Sequence, residues 1–375
     1  MSEIHKLTMP KWGLSMTEGK VEAWLVAEGD PIEPGMEVAD VDTGKISGSV
    51  EVPPGMTGLL RRQVAAANDV LPVGALLGVI AGAEVGDEEI EALIAEFQAT
   101  FVPEAADEEG PAPEDVEVGG TRIRFVRVGD GEQAVVLLHG FGGDKDTWLF
   151  NLDALAEGRC VYALDLPGHG ESDKRVADGS VPGLATTVAG FLDALGLERV
   201  DLVGHSMGAA VAMAVAVAAP GRVRSLALLA PAGLGQEINT GYLRGFVAAQ
   251  SRRELKPHAE QLFADPALVT RDLLENLLKF KRLDGAQAAL QTVLDGFVAG
   301  DGQAAVLAGP VAGLGLPVLV VAGTLDRVIP PGHAGALGGK AAVHVLDGKG
   351  HMIHMEAAGE VNRLLVDHLA ASNQT

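Results

Sequence analysis

The chain has 375 residues, 47% of them apolar, which is enough for two or three domains with sizeable cores. Its formal charge is −23, and we expect no nucleic-acid partner for so acidic a chain. Cys160 is the only cysteine, which excludes an internal disulfide and fits a reducing cytoplasm. The N-terminus opens on no apolar signal core, and the longest apolar stretch, Ala209–Ala219, is too short to span a bilayer. These features predict a cytoplasmic protein with no membrane contact and no metal site.

Residues 1–80 contain an internal repeat at an offset of 39 residues. The matching positions are Gly19 with Gly58, Val21 with Leu60, Gly29-Asp30 with Asn68-Asp69, Ile32 with Leu71, Gly35 with Gly74, and Val38 with Leu77. Each copy gives a strand, a tight turn and another strand. Two such halves that close on each other predict a small all-β flattened barrel. Lys45 follows Gly44 at the exposed turn between the halves, where a solvated lysine is the ordinary interpretation.

The residues around this turn resemble the lipoyl domain of 2-oxo acid dehydrogenase complexes. The resemblance rests on M-P-K-W-G-L-S-M-T-E-G at 9–19, W-L-V-A-E-G-D at 24–30 and D-T-G-K at 42–45. It implies that Lys45 carries an amide-linked lipoyl group (lipoate), a long tether that brings a bound acyl group to a second site. The family usually has Asp before the lysine, where this chain has Gly44. A biotin carrier shares the barrel but usually has Met on both sides of the lysine, so Gly44 and Ile46 argue against biotin.

Residues 81–115 hold twelve acidic residues and no basic one, and they predict an acidic linker. Within it, a stripe at helical spacing predicts a short amphipathic helix; its members are Ile90, Leu93, Ile94, Phe97 and Phe101. One such helix cannot bury its stripe alone. We expect it to pack on a neighbouring domain, with docking to a partner enzyme and disorder as the alternatives.

From residue 116 to residue 375, buried-strand runs alternate with helical patterns, which predicts a mostly parallel sheet with helices on both faces. The run Val200–Val203 is followed by Gly204-His-Ser206-Met-Gly208 and then by an alanine-rich helix. This strand–helix context makes G-x-S-x-G a nucleophile-elbow signature, with Ser206 as the nucleophile.

A serine nucleophile needs a base and a group that orients the base. Asp326 follows one buried run and His351 follows the next, so both are expected at the carboxyl edge of the sheet, where ligands bind. The order Ser206, Asp326, His351 is that of α/β-hydrolase triads. We therefore predict these three as catalytic residues. His354 is expected to be structural or outward-facing, and His205 to brace its loop.

Residues 116–375 resemble the α/β-hydrolase superfamily. The resemblance implies an oxyanion hole formed by the backbone N–H groups of Phe141 and Met207, and a helical cap at about 234–316. Basic residues crowd into this cap, and the ordinary interpretation is a solvated helix face. The alternative is that the cap holds the phosphates of coenzyme A; the candidates are Arg252, Arg253, Lys279, Lys281 and Arg282.

The two modules together resemble the dihydrolipoamide acetyltransferase component of bacterial acetoin dehydrogenase complexes. The resemblance implies an acyltransferase that moves an acetyl group from a lipoyl-lysine thioester to coenzyme A through a Ser-His-Asp site. It also implies a thiamine-diphosphate-dependent acetoin-cleaving partner and a dihydrolipoamide dehydrogenase partner, and we expect a homo-oligomer. A thioesterase that releases acetate, and a non-catalytic lipoyl carrier and scaffold, are the alternatives.

Overall fold

The computed structural model describes residues 4–11, 16–43, 47–53, 55–103 and 112–372. The chain forms two compact units, Met1–Gly110 and Pro111–Thr375. None of the helices in the described parts of the chain combines the length and the apolar character that crossing a bilayer requires.

The first unit contains two four-stranded antiparallel sheets. Its elements are β1 (Ile4–Thr8), β2 (Glu18–Trp24), β3 (Pro31–Ile32), β4 (Glu37–Asp42), β5 (Ser47–Glu51), β6 (Gly58–Gln63), β7 (Val70–Pro72), β8 (Leu76–Ala81) and helix α1 (Asp87–Thr100). One sheet has the order β1-β8-β6-β3, and the other has the order β5-β4-β2-β7. Strands β4 and β5 pair with Asp42 opposite Ser47, so four residues, 43–46, connect them. The predicted lipoyl position, Lys45, lies in this connection and outside the described residues.

The sequence repeat corresponds to equivalent structural positions in the two halves. Gly35 and Gly74 have φ angles of +82° and +81°, and Gly29 and Asn68 have φ angles of +94° and +75°. These left-handed turns are the reason for glycine and asparagine at the matching positions. The matching apolar positions are fully buried in one core; they are Val21 with Leu60 and Val38 with Leu77.

Helix α1 is the amphipathic helix of the predicted linker, and it packs on the first unit. Ile90 is fully buried in a cluster with residues of β8, and Leu93, Ile94 and Phe97 pack against the same cluster. Phe101 stacks on Phe97 with 5.3 Å between ring centroids. Two ion pairs fasten its polar side, Arg61 to Asp87 at 2.9 Å and Arg62 to Glu91 at 2.7 Å. The helix therefore packs on the β-sheet domain beside it in the chain, which was the first interpretation of this segment.

The second unit is built on an eight-stranded sheet. The strands of the whole unit, including two outside this sheet, are β9 (Glu114–Val118), β10 (Thr121–Val128), β11 (Gln133–Leu138), β12 (Arg159–Leu164), β13 (Val200–His205), β14 (Val223–Leu229), β15 (Val298–Ala299), β16 (Gly302–Gln303), β17 (Val318–Gly323) and β18 (Ala342–Leu346). The sheet order is β18-β17-β14-β13-β11-β12-β10-β9, with β15 and β16 apart as a small hairpin. Strands β11 to β14, β17 and β18 are parallel to one another. Strand β10 is antiparallel to both of its neighbours, β12 and β9.

Helices flank this sheet and form the cap. They are α2 (Leu152–Ala156), α3 (Val181–Ala194), α4 (Met207–Ala218), α5 (Thr240–Ala248), α6 (Arg252–Ala259), α7 (Arg271–Lys281), α8 (Ala286–Phe297), α9 (Ala308–Ala312), α10 (Ile353–Glu356) and α11 (Ala358–Ser372). Short 3-10 helices cover Lys145–Trp148, Pro220–Arg222, Pro266–Leu268 and Pro331–Lys340. The cap lies between β14 and β17. The sequence pattern predicted helices there, and the structure adds the β15–β16 hairpin.

Parallel strand order sets the position of the site. Strands β13, β17 and β18 run in the same direction, so their carboxyl ends meet at one edge of the sheet. The core beneath is apolar and closely packed, with Val135, Leu137, Val203 and Val321 nearly or fully buried. A rigid sheet of this kind fixes the loops that leave its carboxyl edge.

Candidate active site

Ser206 stands in a strained turn between β13 and α4. Its φ and ψ angles are 52° and −118°, a conformation that few non-glycine residues adopt. The flanking glycines make the turn possible: a Cβ on Gly204 would lie 2.5 Å from the carbonyl oxygen of Gly208, and one on Gly208 would lie 2.1 Å from that of Leu138. The backbone N–H of Ser206 donates to the carbonyl of Leu229 at 3.0 Å. The sequence motif therefore forms a nucleophile elbow.

His351 and Asp326 form a buried hydrogen-bonded pair. His351 Nδ1 lies 2.8 Å from Asp326 Oδ2, and both side chains are 2% exposed. The other carboxylate oxygen, Asp326 Oδ1, accepts hydrogen bonds from the N–H groups of Val328 at 2.7 Å and Ile329 at 2.9 Å. Because the carboxylate accepts, Nδ1 carries the proton and Nε2 of His351 is left as a base.

His205 connects the serine loop to the histidine loop. Its Nε2 donates to the backbone carbonyl of His351 at 2.9 Å, and the two rings lie 4.8 Å apart between centroids. Gly140 packs against both His205 and Ser206: a Cβ on Gly140 would lie 2.8 Å from His205 Nδ1 and 3.1 Å from the Cβ of Ser206. The structure thus brings Ser206, His351 and Asp326 to one edge of the sheet, with residue 140 beside the serine.

Met207 follows Ser206 in the chain, and Gly140, which precedes Phe141, packs close to Ser206. Met207 is the first residue of α4, and the first N–H groups of a helix have no partner within it. Phe141 directly follows Gly140, and its side chain is buried. These are the two residues whose N–H groups the resemblance to α/β-hydrolases implies for an oxyanion hole.

Aromatic side chains of the cap cover the loop that carries Phe141. The Phe246 ring lies 6.1 Å from the Phe141 ring in an edge-to-face arrangement, and Tyr242 lies 6.1 Å from Phe246. All three side chains are buried. Burial, with a smaller contribution from the charge of Asp326, raises the pKa of Tyr242 far above its usual value. The cap therefore places dry, apolar surface over the site.

Several basic residues of the cap line two grooves at α6 and α7, and Arg252 lines both. Arg252, Lys279 and Arg282 line a groove of about 620 Å³ with Glu275 and Leu278. Arg252 and Arg253 line a second groove of about 530 Å³, with Lys256, Arg271, Ser251, Val269 and Leu274. Arg252 also forms an ion pair with Glu275 at 3.0 Å. Four of the five cations considered for coenzyme A therefore line a groove.

Lys281 lies inside the cap. Its Nζ donates to the carbonyls of Phe246 at 2.5 Å and Val247 at 3.1 Å, and it lies 4.7 Å from the centroid of the Phe246 ring. Burial lowers the pKa of Lys281 to about 8. The side chain fastens α7 to the carboxyl end of α5, so we assign it no phosphate contact.

Buried histidines surround the site. His354 is completely buried and lies 4.7 Å from Trp148 and 4.5 Å from His205 between ring centroids, so it is not outward-facing. Burial lowers the pKa of His354 to about 3 and that of His169 to about 4, and it also lowers the pKa of His139 and His205 well below the usual value. All four imidazoles are neutral in the folded chain near pH 7.

These histidines predict a loss of stability in acid. Below pH 6.5 the unfolded chain binds protons that the folded chain does not, so the free energy of unfolding falls by about 1.4 kcal/mol per pH unit for each such histidine. The fall continues until the pH reaches the folded pKa, about 3 for His354. Thermal unfolding between pH 7 and pH 4 checks this. His354→Leu is expected to flatten the slope by about one proton.

His344→Leu is the matched control, since it removes an exposed imidazole, and it is expected to leave the slope unchanged. An equal slope in His354→Leu and the wild-type chain would contradict the prediction.

Comparison with known proteins agrees with this fold. A family model described as alpha/beta hydrolase fold matches residues 133–358, and one described as biotin-requiring enzyme matches residues 5–80. The meta-cleavage product hydrolase from Pseudomonas fluorescens IP01 superposes on 69% of this chain and 98% of its own, with a TM-score of 0.64 and 24% identity, which shows the fold alone. The predicted fold class, a multidomain chain with a lipoyl/biotinyl-type barrel before an α/β-hydrolase fold, is confirmed.

Two relatives match nearly the whole chain. A protein from Pseudomonas putida is 54% identical over 98% of this chain and 99% of its own length, and one from Cupriavidus necator is 49% identical over 98% and 97%. Both are named the dihydrolipoyllysine-residue acetyltransferase component of the acetoin cleaving system. The chain belongs to this family of acetyltransferase components, which confirms the resemblance found in the sequence.

Proposed function

We propose that this chain transfers an acetyl group from a lipoyl-lysine thioester to coenzyme A within an acetoin-cleaving dehydrogenase complex. Ser206 is the nucleophile, His351 the general base and Asp326 the group that orients it. The observation that carries the proposal is the 2.8 Å bond between His351 and Asp326 beside the strained Ser206, in a chain 54% identical over its length to a named acetyltransferase component.

The first unit fits a lipoyl carrier. The register of β4 and β5 leaves a four-residue connection that includes Lys45, so the lysine belongs to a short link between two paired strands. The amine of Lys45 would hold the lipoyl group through an amide bond. When bound, that group supplies a thiol that accepts the acetyl group as a thioester.

Acylation of Ser206 is the first half of the proposed reaction. Ser206 Oγ attacks the carbonyl carbon of the acetyl thioester while His351 Nε2 takes the hydroxyl proton. The N–H groups of Phe141 and Met207 hold the negative oxygen of the tetrahedral species, and each such donor is worth about 10²–10³ in rate. The carbon–sulfur bond then breaks, and His351 returns its proton to the leaving thiol. Acetyl-Ser206 remains.

Transfer to coenzyme A is the second half. His351 Nε2 takes the proton of the coenzyme A thiol, and the sulfur attacks the acetyl carbon of acetyl-Ser206. The oxygen of Ser206 leaves and regains a proton from His351. No net oxidation occurs, and the acetyl group ends as a thioester of coenzyme A.

The cap supports a thiol acceptor rather than water. Tyr242, Phe246 and Phe141 are buried beside the site, and such an apolar cover would limit the access of water to His351. The grooves on α6 and α7 offer cations for the phosphates of coenzyme A, which would make the attack effectively intramolecular. Release of acetate to water is the alternative outcome, and a non-catalytic scaffold is the third.

The proposal extends to partners and location. The relatives are named as components of an acetoin cleaving system. A thiamine-diphosphate-dependent acetoin-cleaving enzyme would load the acetyl group, and a dihydrolipoamide dehydrogenase would reoxidise the dithiol. A homo-oligomer in the cytoplasm would present many carriers to both partners.

Removal of cations from the grooves tests the coenzyme A part of this proposal. Arg252→Ala/Arg253→Ala and Lys279→Ala/Arg282→Ala are expected to raise the KM for coenzyme A roughly ten-fold, since each loses two charge-assisted contacts to phosphate. Hydrolysis of a small acetyl ester, which has no phosphates, is expected to stay unchanged. Steady-state kinetics with both substrates give the comparison.

Arg244→Ala is the matched control for these variants. Arg244 is a cap cation outside both grooves, bonded to the carbonyl of Gly300 at 2.8 Å. Its removal is expected to leave the KM for coenzyme A unchanged. An unchanged KM in both groove variants would mean that the cations are a solvated face.

A further inference from the structure

Glu356 is a buried acid beside the histidine loop, and the reaction described above does not use it. It ends helix α10, its side chain is 6% exposed, and it lies five residues after His351. Glu356 Oε2 accepts hydrogen bonds from the N–H of Ala264 at 2.9 Å and from the N–H of Gly350 at 3.2 Å. One carboxylate oxygen therefore bonds to the cap and to the residue directly before His351.

The same piece of cap backbone bonds to His351 itself. The carbonyl of Leu262 accepts from the N–H groups of His351 at 2.9 Å and Met352 at 3.0 Å. We call residues 262–264 the cap strap. A Cβ on Gly350 would lie 2.5 Å from the backbone nitrogen of Ala264, so the strap and the histidine loop are in direct backbone contact.

The cap strap also reaches the loop of Asp326. Arg327, the next residue, donates to the carbonyls of Glu260 at 3.3 Å and Ala264 at 3.4 Å. The strap is thus bonded to His351 directly and to Arg327, the neighbour of Asp326, while Glu356 holds the strap to Gly350.

The other contacts of Glu356 lie in the same loop. Burial raises the pKa of Glu356, while the N–H groups of Ala264 and Gly350 and the charges of Lys349 and His351 oppose this rise. Lys349 Nζ donates to the backbone carbonyl of Glu356 at 3.1 Å. Among the described residues, Glu356 Oε1 has no hydrogen-bond partner. The contact to Ala264 and the contact to Gly350 therefore depend on one atom, Oε2.

We infer that Glu356 is a positioning residue for the Ser206 site: it fastens the cap strap to the histidine loop and holds His351 in register with Asp326. The role rests on the proposed function. The cap is then a part of the catalytic framework, because the backbone that covers the site also supports the base. Misplacement of a base by about 1 Å costs on the order of 10²-fold in rate.

The test uses the full lipoylated chain and measures kcat and KM for hydrolysis of p-nitrophenyl acetate. Glu356→Ala removes the bonds and the charge, and it is expected to lower kcat by roughly 10- to 100-fold with little change in KM. Glu356→Gln keeps an oxygen acceptor and removes only the charge. We expect it to retain kcat and KM within a few-fold, because the amide oxygen can still accept from the N–H groups of Ala264 and Gly350. Glu360→Ala, at an exposed ion pair of α11, is the control and should match the wild type.

Two outcomes would overturn the inference. One is a folded Glu356→Ala with wild-type kcat. The other, decisive even where the alanine variant does not fold, is a folded Glu356→Gln whose kcat falls ten-fold or more although its amide oxygen can still accept both hydrogen bonds. Ser206→Ala in parallel separates the two proposals: if it hydrolyses the ester like the wild type, the serine assignment is wrong and the role of Glu356 with it. If it is inactive while Glu356→Ala is fully active, only the role of Glu356 is wrong.

Discussion

The Ser206→Ala variant is expected to keep its lipoyl group and to lose acetyl transfer by about 10⁴-fold or more. Without Oγ no acetyl-enzyme forms, and the His351–Asp326 pair has no nucleophile to activate. The substitution is compatible with the fold, since alanine adopts the φ angle of 52° at about the same cost as serine. The rate of acetyl-coenzyme A formation and the intact mass of the chain are the two measurements.

Ser180→Ala is the control for the serine variant. Ser180 caps α3 and accepts a hydrogen bond from the N–H of Gly183 at 3.2 Å, so its loss costs about 1 kcal/mol of stability and no catalysis. If Ser206→Ala keeps more than a small fraction of the wild-type activity, transfer proceeds by direct exchange between thiols and Ser206 forms no acyl-enzyme.

The Lys45→Arg variant is expected to lose the lipoyl group and, with it, all turnover by the assembled complex. Arginine keeps the positive charge of the turn, but its guanidinium does not form the amide bond. Intact mass of the wild-type chain from a lipoate-competent host should exceed the sequence mass by one lipoyl group, and the variant should show no excess. Hydrolysis of a small acetyl ester should be unchanged, because Ser206 belongs to the other unit.

Lys20→Arg is the matched control for the carrier. Lys20 lies on β2 and pairs with Glu22 at 2.7 Å, and its replacement should leave the lipoyl mass in place. If the wild-type chain from such a host shows no added mass, the first unit is not a lipoyl carrier.

The fold and the His351–Asp326 pair were predictable because short local patterns encode them. The elbow requires Gly204 and Gly208 for steric reasons, and the structure shows the contacts that any Cβ would make there. Asp326 and His351 each follow a strand of the same parallel sheet, so their meeting at one edge follows from the strand pattern. The repeat in the first unit was visible for a similar reason, since left-handed turns demand Gly or Asn.

The role of Glu356 was not predictable, because its partner lies 92 residues away in the cap. No spacing rule pairs a loop acid with one backbone N–H of an inserted segment. The burial of Glu356 and its two hydrogen bonds became visible only with the packing.

Lys281 shows a second limit of sequence reasoning. It adjoins Arg282, and the two were grouped as one basic cluster. On helix α7, neighbouring residues point in different directions, so Lys281 reaches back to the carbonyls of α5 while Arg282 lines a groove. Charge counts along a sequence do not separate these two environments.

The acceptor of the acetyl group is the central claim, and a single-turnover measurement tests it most directly. The chain carrying acetylated lipoyl-Lys45 is mixed with and without coenzyme A, and acetyl-coenzyme A and acetate are quantified over time. The account predicts one equivalent of acetyl-coenzyme A with coenzyme A present, and only slow acetate release without it. Acetate released as fast with coenzyme A as without it would contradict the account and make the protein a thioesterase.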